Sequence, residues 1–259
     1  MNRGSWMRKL ANEVLDCLYP PGLYCICCGK IIDASRPYMM CNDCIRDMKW
    51  IRGRACAKCG KALGDTDPGE VCYGCRNYDY KFDRGYACAE YGAHEKAVLY
   101  ELKYASRGDI GKTLGEIVYD RMAAEFGEEG LKDAYDLVIP IPIFKRRRKT
   151  RGFNQAEIIA KSFAERAGIP YNGDILIRSK ETLPMKGLGP SERMANIGGA
   201  FSLREELKEK TAGARLLLID DIYTTGATLS EAARVLKEAG ASRVDFASFA
   251  AGADILSRS

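Results

Sequence analysis

The sequence predicts an α/β protein built on a parallel sheet with helices on both faces, preceded by a cysteine-rich segment stapled by metal. Three observations predict it. All eleven cysteines lie between residues 17 and 88, and eight of them form four Cys-x-x-Cys pairs at a repeated spacing. After Tyr80, short apolar runs alternate with amphipathic stretches of helical length. One of those runs, Arg215–Asp220, feeds a turn rich in hydroxyls and glycine that opens a helix.

The chain has 259 residues, of which 46% are hydrophobic and 29% charged, enough to bury a real core. Residues 1–22 read as an amphipathic helix, with Trp6, Leu10, Val14 and Leu18 along one face. Arg8, Lys9, Asn12, Glu13 and Asp16 interrupt its apolar residues, so it has neither the apolar core of a secretion signal nor the length of a membrane span. A cytoplasmic protein without membrane insertion is the expectation.

Residues 23–80 carry the cysteine pairs. Cys25/Cys28 and Cys41/Cys44 are separated by twelve residues, and so are Cys56/Cys59 and Cys72/Cys75. The two sets are offset by 31 residues, and each begins with a Cys-Gly-Lys knuckle, Cys28-Gly29-Lys30 and Cys59-Gly60-Lys61. Two tetrahedral Zn²⁺ sites of four thiolates use all eight with none left over. Segments this short bury little apolar area, so the metal must supply the missing stability. A disulfide framework is disfavoured because reducing compartments keep thiols free. A filled tetrathiolate site has no open position for hydrolysis, so the ribbons are scaffolds or docking surfaces. Cys17 and Cys88 sit in apolar patterns as small core residues, and Cys27, inside the first knuckle, could compete as a ligand. Lys49, Trp50, Arg52, Arg54, Lys58 and Lys61 place a tryptophan among bases. They suit either stacking on single-stranded DNA or a solvated linker between ribbons. The twelve Lys/Arg of residues 1–80 against nine Asp/Glu give a small positive charge, which two tetrathiolate sites would turn slightly negative.

Residues 81–259 alternate. Arg84–Tyr91 reads as a strand, His94–Tyr104 and Lys112–Phe126 as helices, Asp136–Ile141 as a buried strand, and Asn154–Ala167 as a helix ended by Gly168. Ile175–Ile177 is a short strand. Arg215–Asp220 is an apolar strand, Thr228–Ala239 a helix ended by Gly240, and Arg243–Ala250 a last strand. Between them, Ser179–Gly199 is long, polar and glycine-rich, the composition of a mobile lid. Lys145–Lys149 and Arg151 form a basic run that suits a solvated face or a polyanion. His94, the sole histidine, falls at a helix start and reads as a capping or surface residue rather than a general base.

The most informative stretch is Leu216–Thr228, LLLIDDIYTTGAT. Asp220 and Asp221 end an apolar strand, and carboxylates accept from sugar hydroxyls. Thr224, Thr225, Gly226, Ala227 and Thr228 then form a small-residue turn into a helix, where unpaired N–H groups and hydroxyls suit a phosphate. Together they match the two ends of a ribose 5-phosphate. There is no Walker loop and no GxGxxG.

That stretch resembles the phosphoribosyl-pyrophosphate motif of type I phosphoribosyltransferases, and the whole chain resembles the ComF family, a double zinc ribbon followed by a phosphoribosyltransferase domain. Leu102-Lys103-Tyr104, Ile139-Pro140-Ile141-Pro142, Arg151-Gly152-Phe153-Asn154-Gln155-Ala156 and Glu192-Arg193-Met194-Ala195-Asn196-Ile197 carry the likeness further. The resemblance implies that Asp220 and Asp221 hold ribose hydroxyls and Thr224–Thr228 the 5′-phosphate. It implies that Lys103 approaches the pyrophosphate, that Mg²⁺ bridges pyrophosphate and ribose oxygens, and that Lys145–Lys149 with Arg151 help neutralise the polyanion. In the lid reading, Lys186, Arg193 and Asn196 close over pyrophosphate and exclude water. Met185 stands where the family usually has glutamine. The family is associated with competence and DNA uptake. The implied roles are a transferase acting on phosphoribosyl pyrophosphate, or a non-catalytic module that binds single-stranded DNA and docks an uptake helicase or another competence protein.

Overall fold

A computed structural model describes residues 22–64, 69–104, 107–182 and 187–253. The expected helix over residues 1–22 lies outside the described residues except for Gly22, and so do Cys17, Met185 and Lys186.

Four parallel strands form the central sheet: β1 (Gly85–Glu90), β2 (Leu137–Pro140), β5 (Arg215–Tyr223) and β6 (Arg243–Ala251), in the order β1-β6-β5-β2. β5 lies centrally, with Leu216 paired to Leu137 on one side and to Val244 on the other. Side chains alternate between faces along a strand. Leu217 and Ile219 accordingly join one core and Leu216 and Leu218 the other. The first core is closed by α4 (Gly108–Phe126) and α7 (Gln155–Ala167), the second by α9 (Ala227–Glu238). A two-stranded antiparallel hood, β3 (Leu176–Arg178) with β4 (Phe201–Leu203), stands apart from the sheet.

The ribbons are part of this architecture. α1 (Asn42–Asp47) and α2 (Tyr73–Asn77) each complete one ribbon. Ile26, Met40 and Met48 of the first ribbon enter the core with α4 and α7, while Ile51, Leu63, Tyr80 and Phe82 of the second enter the core with α9. The two ribbons therefore straddle the sheet. The chain between them pairs antiparallel with the β1 edge: Ile51 N–H donates to Cys88 at 2.9 Å, and Glu90 N–H to Lys49 at 2.8 Å. Trp50 packs against the first core and its indole N–H donates to Ile45 O at 2.7 Å. Its backbone is thus engaged in edge pairing and its ring in packing.

α3 (Ala93–Tyr104) and α4 fall where the sequence places helices, and α4 begins four residues earlier than Lys112. Several elements escape a reading by periodicity, among them the short helices α1 and α2. α5 (Glu128–Ala134) is short and buries only Leu131, and Gly127 at φ 72° separates it from α4. α6 (Lys145–Arg151) is the basic run itself. It buries no residue, so no apolar stripe can reveal it, and Gly152 ends it in the left-handed region. α8 (Pro190–Ile197) occupies the later part of the segment expected to be a mobile lid, and β4 follows it. Proline opens α8, Glu192 Oε2 accepts the Gly189 N–H at 2.6 Å, and Ile197 is buried in the second core. The later part of that segment is thus a packed helix.

α4 and α7 approach closely at Gly115. A Cβ there would lie 2.5 Å from Ser162 Cβ and 2.7 Å from the Ile159 carbonyl. Gly115→Ala should lower stability by ~1–3 kcal/mol through overpacking, despite alanine's better helix propensity. Urea unfolding of the full chain measures it; an unchanged midpoint would mean that the helices part without cost.

Candidate functional site

The helices that follow β2 and β5 lie on opposite faces of the sheet, α7 on one and α9 on the other. Neighbouring strands whose connections diverge in this way leave a crevice beyond their carboxyl ends. β2 stops at Pro140, whereas β5 runs on to Tyr223, paired only with β6. The acids do not end the strand, as the sequence suggested, but lie within an extension of it that pairs with β6 and not with β2. Asp220 and Asp221 stand past the end of β2 with one side of their backbone free.

Asp220 Oδ1 accepts the Asp221 N–H at 2.9 Å. Asp221 Oδ2 lies 2.7 Å from Lys103 Nζ, an ion pair whose side chains are 13% and 25% exposed and so partly shielded from water. This buried carboxylate oxygen has no partner other than Lys103 among the described residues. Burial and the adjacent Asp221 charge push the Asp220 carboxyl well above its ordinary range. Burial works against the Lys103 ammonium, but Asp221 and Asp220 together outweigh it and the Arg151 charge, so its pKa is raised. Lys103, Arg151, Asp220 and Asp221, far apart in the chain, therefore share one electrostatic neighbourhood.

Arg151 closes α6, and its guanidinium reaches Gln155 Oε1 at 3.4 Å. Gln155 is buried with an unpartnered Nε2, and Asn154 beside it donates to Ile141 O at 3.0 Å, tying the start of α7 to the end of β2. The turn after β5 completes the crevice. Gly226 sits at φ 80°, and a Cβ there would come within 2.9 Å of both the Tyr223 hydroxyl and the Tyr80 ring, so only glycine fits. Asp220, Thr224, Gly226 and Thr228 line one small pocket at the N-terminus of α9. Ala227, the first residue of that helix, is buried beneath it, and Thr225 is half-buried.

Arg193 lies in α8 and donates through Nε to Leu188 O at 2.9 Å; no described contact joins it to the acid pair. Arg178 is the residue that the sequence reading missed. It closes β3, is buried, and retains an unpartnered Nε; burial lowers its pKa, Arg147 adds to that, and the Asp220 charge opposes it. The signal was a single arginine ending an otherwise apolar triplet. A larger cavity of about 720 Å³ lies elsewhere, between the second ribbon and α9. Its Lys237 pairs with Asp83, and its Arg234 with Glu231 and Glu238, so these charges are already spent on one another.

The cysteines form two quartets, Cys25, Cys28, Cys41, Cys44 and Cys56, Cys59, Cys72, Cys75, with all sulfurs of a quartet within 4.8 Å of one another. Cys28 and Cys41 sulfurs are 3.8 Å apart and Cys59 and Cys72 sulfurs 3.6 Å. Tetrahedral zinc with bonds of ~2.3 Å needs edges of about 3.8 Å, so the quartets fit Zn²⁺. Amide N–H groups of Cys41 and Cys72 donate to Cys25 and Cys56 sulfur, as stabilised thiolates require. Cys27 belongs to neither quartet; its sulfur clusters with Cys44 and His94, the latter in the first turn of α3. Cys88 is a core residue whose thiol burial pushes up to about 12.

Residues 14–97 match the double zinc ribbon domain, and residues 148–256 match the phosphoribosyl transferase domain. Fold and quartets define a zinc-ribbon protein with a phosphoribosyltransferase-type domain. Among its relatives is Competence protein F of Haemophilus influenzae, 26% identical over 79% of this chain and 87% of that protein. DNA utilization protein YhgH of Salmonella typhimurium is 25% identical over 86% of this chain and 94% of its own length, and Competence protein ComFC of Bacillus subtilis is 29% identical over 78% and 79%. The chain belongs to the ComF family. No described helix is long and apolar enough to cross a membrane.

Two expectations follow. Elemental analysis of the purified protein should find about two equivalents of zinc per chain; iron, or a folded protein without metal, would reject the quartets as zinc sites. Asp220, with a raised folded-state pKa, favours the native state when protonated, and that contribution is lost as pH rises through the folded value. Asp220→Asn should therefore melt at a higher temperature than wild type at pH 7. The gap should close as pH falls below ~4, the ordinary carboxylate value, where both side chains are neutral. A gap that does not narrow in acid would contradict the assignment.

Proposed function

We propose that the crevice binds phosphoribosyl pyrophosphate, or a closely related ribose phosphate, with Mg²⁺, and that the protein acts in competence and DNA uptake. One observation carries the ligand assignment: Asp220 of the central strand and the hydroxyl-rich turn line the same pocket at a helix N-terminus. Asp220 and Asp221 accept from the 2′- and 3′-hydroxyls of the ribose. The amides and hydroxyls of Thr224–Thr228 take the 5′-phosphate, whose charge the α9 N-terminus favours. Lys103 and Arg151 supply the positive charge that a pyrophosphate needs, and Lys186 and Arg193 are the further cations assigned to it.

The Asp221 carboxylate, paired with Lys103 alone among the described side chains, and the like-charge strain on Asp220 fit a hard cation or sugar hydroxyls nearby. Mg²⁺, when bound with the ligand, would neutralise pyrophosphate oxygens as charge builds on them. The reaction this arrangement suits is displacement of pyrophosphate from the anomeric carbon by a nitrogen nucleophile. The C–O bond to pyrophosphate breaks, a C–N bond forms, and the nucleophile's proton passes to solvent or base. The protein's share is positioning and charge stabilisation, with Lys103 and Arg151 holding the departing group.

The names of the relatives, two competence proteins and a DNA utilization protein, support the biological role. A reducing, cytoplasmic setting suits eight thiolates committed to zinc. The solvent-facing basic helix α6, which leads into Arg151, supports contact with single-stranded DNA phosphates near the crevice.

Replacing both acids, Asp220→Ala with Asp221→Ala, should weaken binding of Mg²⁺–phosphoribosyl pyrophosphate by about 100-fold or more, from two lost charge-assisted contacts, while the fold stays intact. Calorimetry with matched circular dichroism measures both. Unchanged affinity in the double variant would remove the acids from the site. Pyrophosphate release in the presence of nitrogenous bases would mark turnover, and retained binding without release would mark a binding module.

A further inference from the structure

The turn that faces the crevice also has a back, and the second ribbon holds it. Lys61, itself buried, donates to the Thr224 carbonyl at 2.7 Å. The Tyr80 hydroxyl donates to the Thr225 carbonyl at 2.6 Å. The Tyr223 carbonyl accepts from Gly252 N–H at 2.7 Å. Three consecutive carbonyls are thus satisfied from behind. In a trans peptide the C=O and the following N–H point opposite ways, and no peptide bond here is cis. Turning the Thr224 and Thr225 carbonyls toward the ribbon turns the Thr225 and Gly226 N–H groups away from it. Neither amide has a partner among the described residues. Successive free N–H groups at a helix start make an anion-binding concavity.

The anchors belong to the second quartet's own scaffold. Lys61 lies two residues beyond Cys59, and its carbonyl accepts the Cys56 N–H at 2.7 Å. Its ammonium lies 4.8 Å from the centre of the Tyr223 ring. Tyr80 follows Cys75 by five residues and stacks on Phe82, which meets the edge of Tyr223. The first ribbon engages a different element: its Tyr38 hydroxyl donates to Asp120 of α4 at 2.7 Å. No described hydrogen bond joins that ribbon to the turn.

We propose that the second zinc ribbon aims the phosphate-binding turn, with Lys61 and Tyr80 as positioning residues, so that phosphate affinity depends on metal in the second quartet and not in the first. The proposal rests on the ribose-phosphate reading above for its ligand, but not for its geometry. Zinc holds the Cys56 knuckle, the knuckle holds Lys61, and Lys61 with Tyr80 holds the two carbonyls. The two quartets, alike in sequence, thereby have unlike duties.

The test uses Lys61→Met and Tyr80→Phe in the full, zinc-loaded chain, with Tyr38→Phe as the control on the first ribbon. Backbone ¹⁵N relaxation of the ligand-free protein should give order parameters near ~0.85 for Thr224–Gly226 in wild type and in Tyr38→Phe. Values below ~0.6 are expected in Lys61→Met and Tyr80→Phe. Unchanged values in both variants, or a turn already loose in wild type, would overturn the clamp. Ribose 5-phosphate affinity should fall about 10-fold in each variant, while inorganic pyrophosphate with Mg²⁺ should change less than about 2-fold. Equal loss of both ligands, or loss of neither, counts against it. If wild type binds neither ligand, the ribose-phosphate reading fails and relaxation alone decides the clamp. Cys75→Ser should loosen the turn and Cys41→Ser should not, each checked by zinc content; loosening by both, or by neither, refutes the asymmetry. If Cys75→Ser does not fold, the Lys61 and Tyr80 variants decide.

Discussion

Two carboxylates side by side in a half-dry crevice repel each other, and the surroundings of Asp220 and Asp221 are arranged around that repulsion. Asp220 carries the strain, held well above the ordinary carboxyl range by burial and its neighbour. Asp221 is relieved by Lys103 at 2.7 Å. Arg151 from the end of α6 and Arg178 from the hood add positive charge from two further directions. Such a constellation is costly in an empty protein and suited to a ligand that brings hydroxyl donors and a metal ion. The strand geometry makes it possible: β2 stops at Pro140, and β5 carries the acids beyond it.

The sheet and the ribbons form one mechanical unit. Each ribbon contributes apolar residues to a different face, and the segment between them runs along β1 as an extra antiparallel edge. The ribbons therefore do more than carry two small knuckles. They complete both cores, and the segment between them caps an otherwise open sheet edge, a place where unpaired strands invite association. The second ribbon also backs the turn after β5 through Lys61 and Tyr80.

Much of this was legible in the residues. The quartets follow from equal spacing, because tetrahedral zinc demands four thiolates and a Cys-x-x-Cys turn delivers two. The strands of the sheet are apolar runs of the right length, and α4, α7 and α9 show the 3.6-residue stripe that helices packed on a sheet must have. The acid pair and the Thr224–Thr228 turn have the chemistry that a sugar phosphate needs, and the structure brings Asp220 and the turn to one pocket. What escaped did so for identifiable reasons. α6 has no buried face, and α5 buries one residue, so neither leaves a periodic trace. α8 hides in a stretch whose glycines and polar residues read as a lid, although Glu192 and Pro190 carry helix-start chemistry.

By itself, the sequence determined the two metal quartets, the alternating α/β order, and the acids and hydroxyls that suit a sugar phosphate, because each depends on residue type at short range. Only the tertiary structure decided that the ribbons straddle the sheet and that Lys103 reaches Asp221, with Arg151 and Arg178 in the same electrostatic neighbourhood. It alone decided, too, that Lys61 reaches across 163 positions to the Thr224 carbonyl. Those contacts are set by which strand edge is left free and which helix covers which face. No local pattern encodes that, because it follows from the order of strands in the sheet.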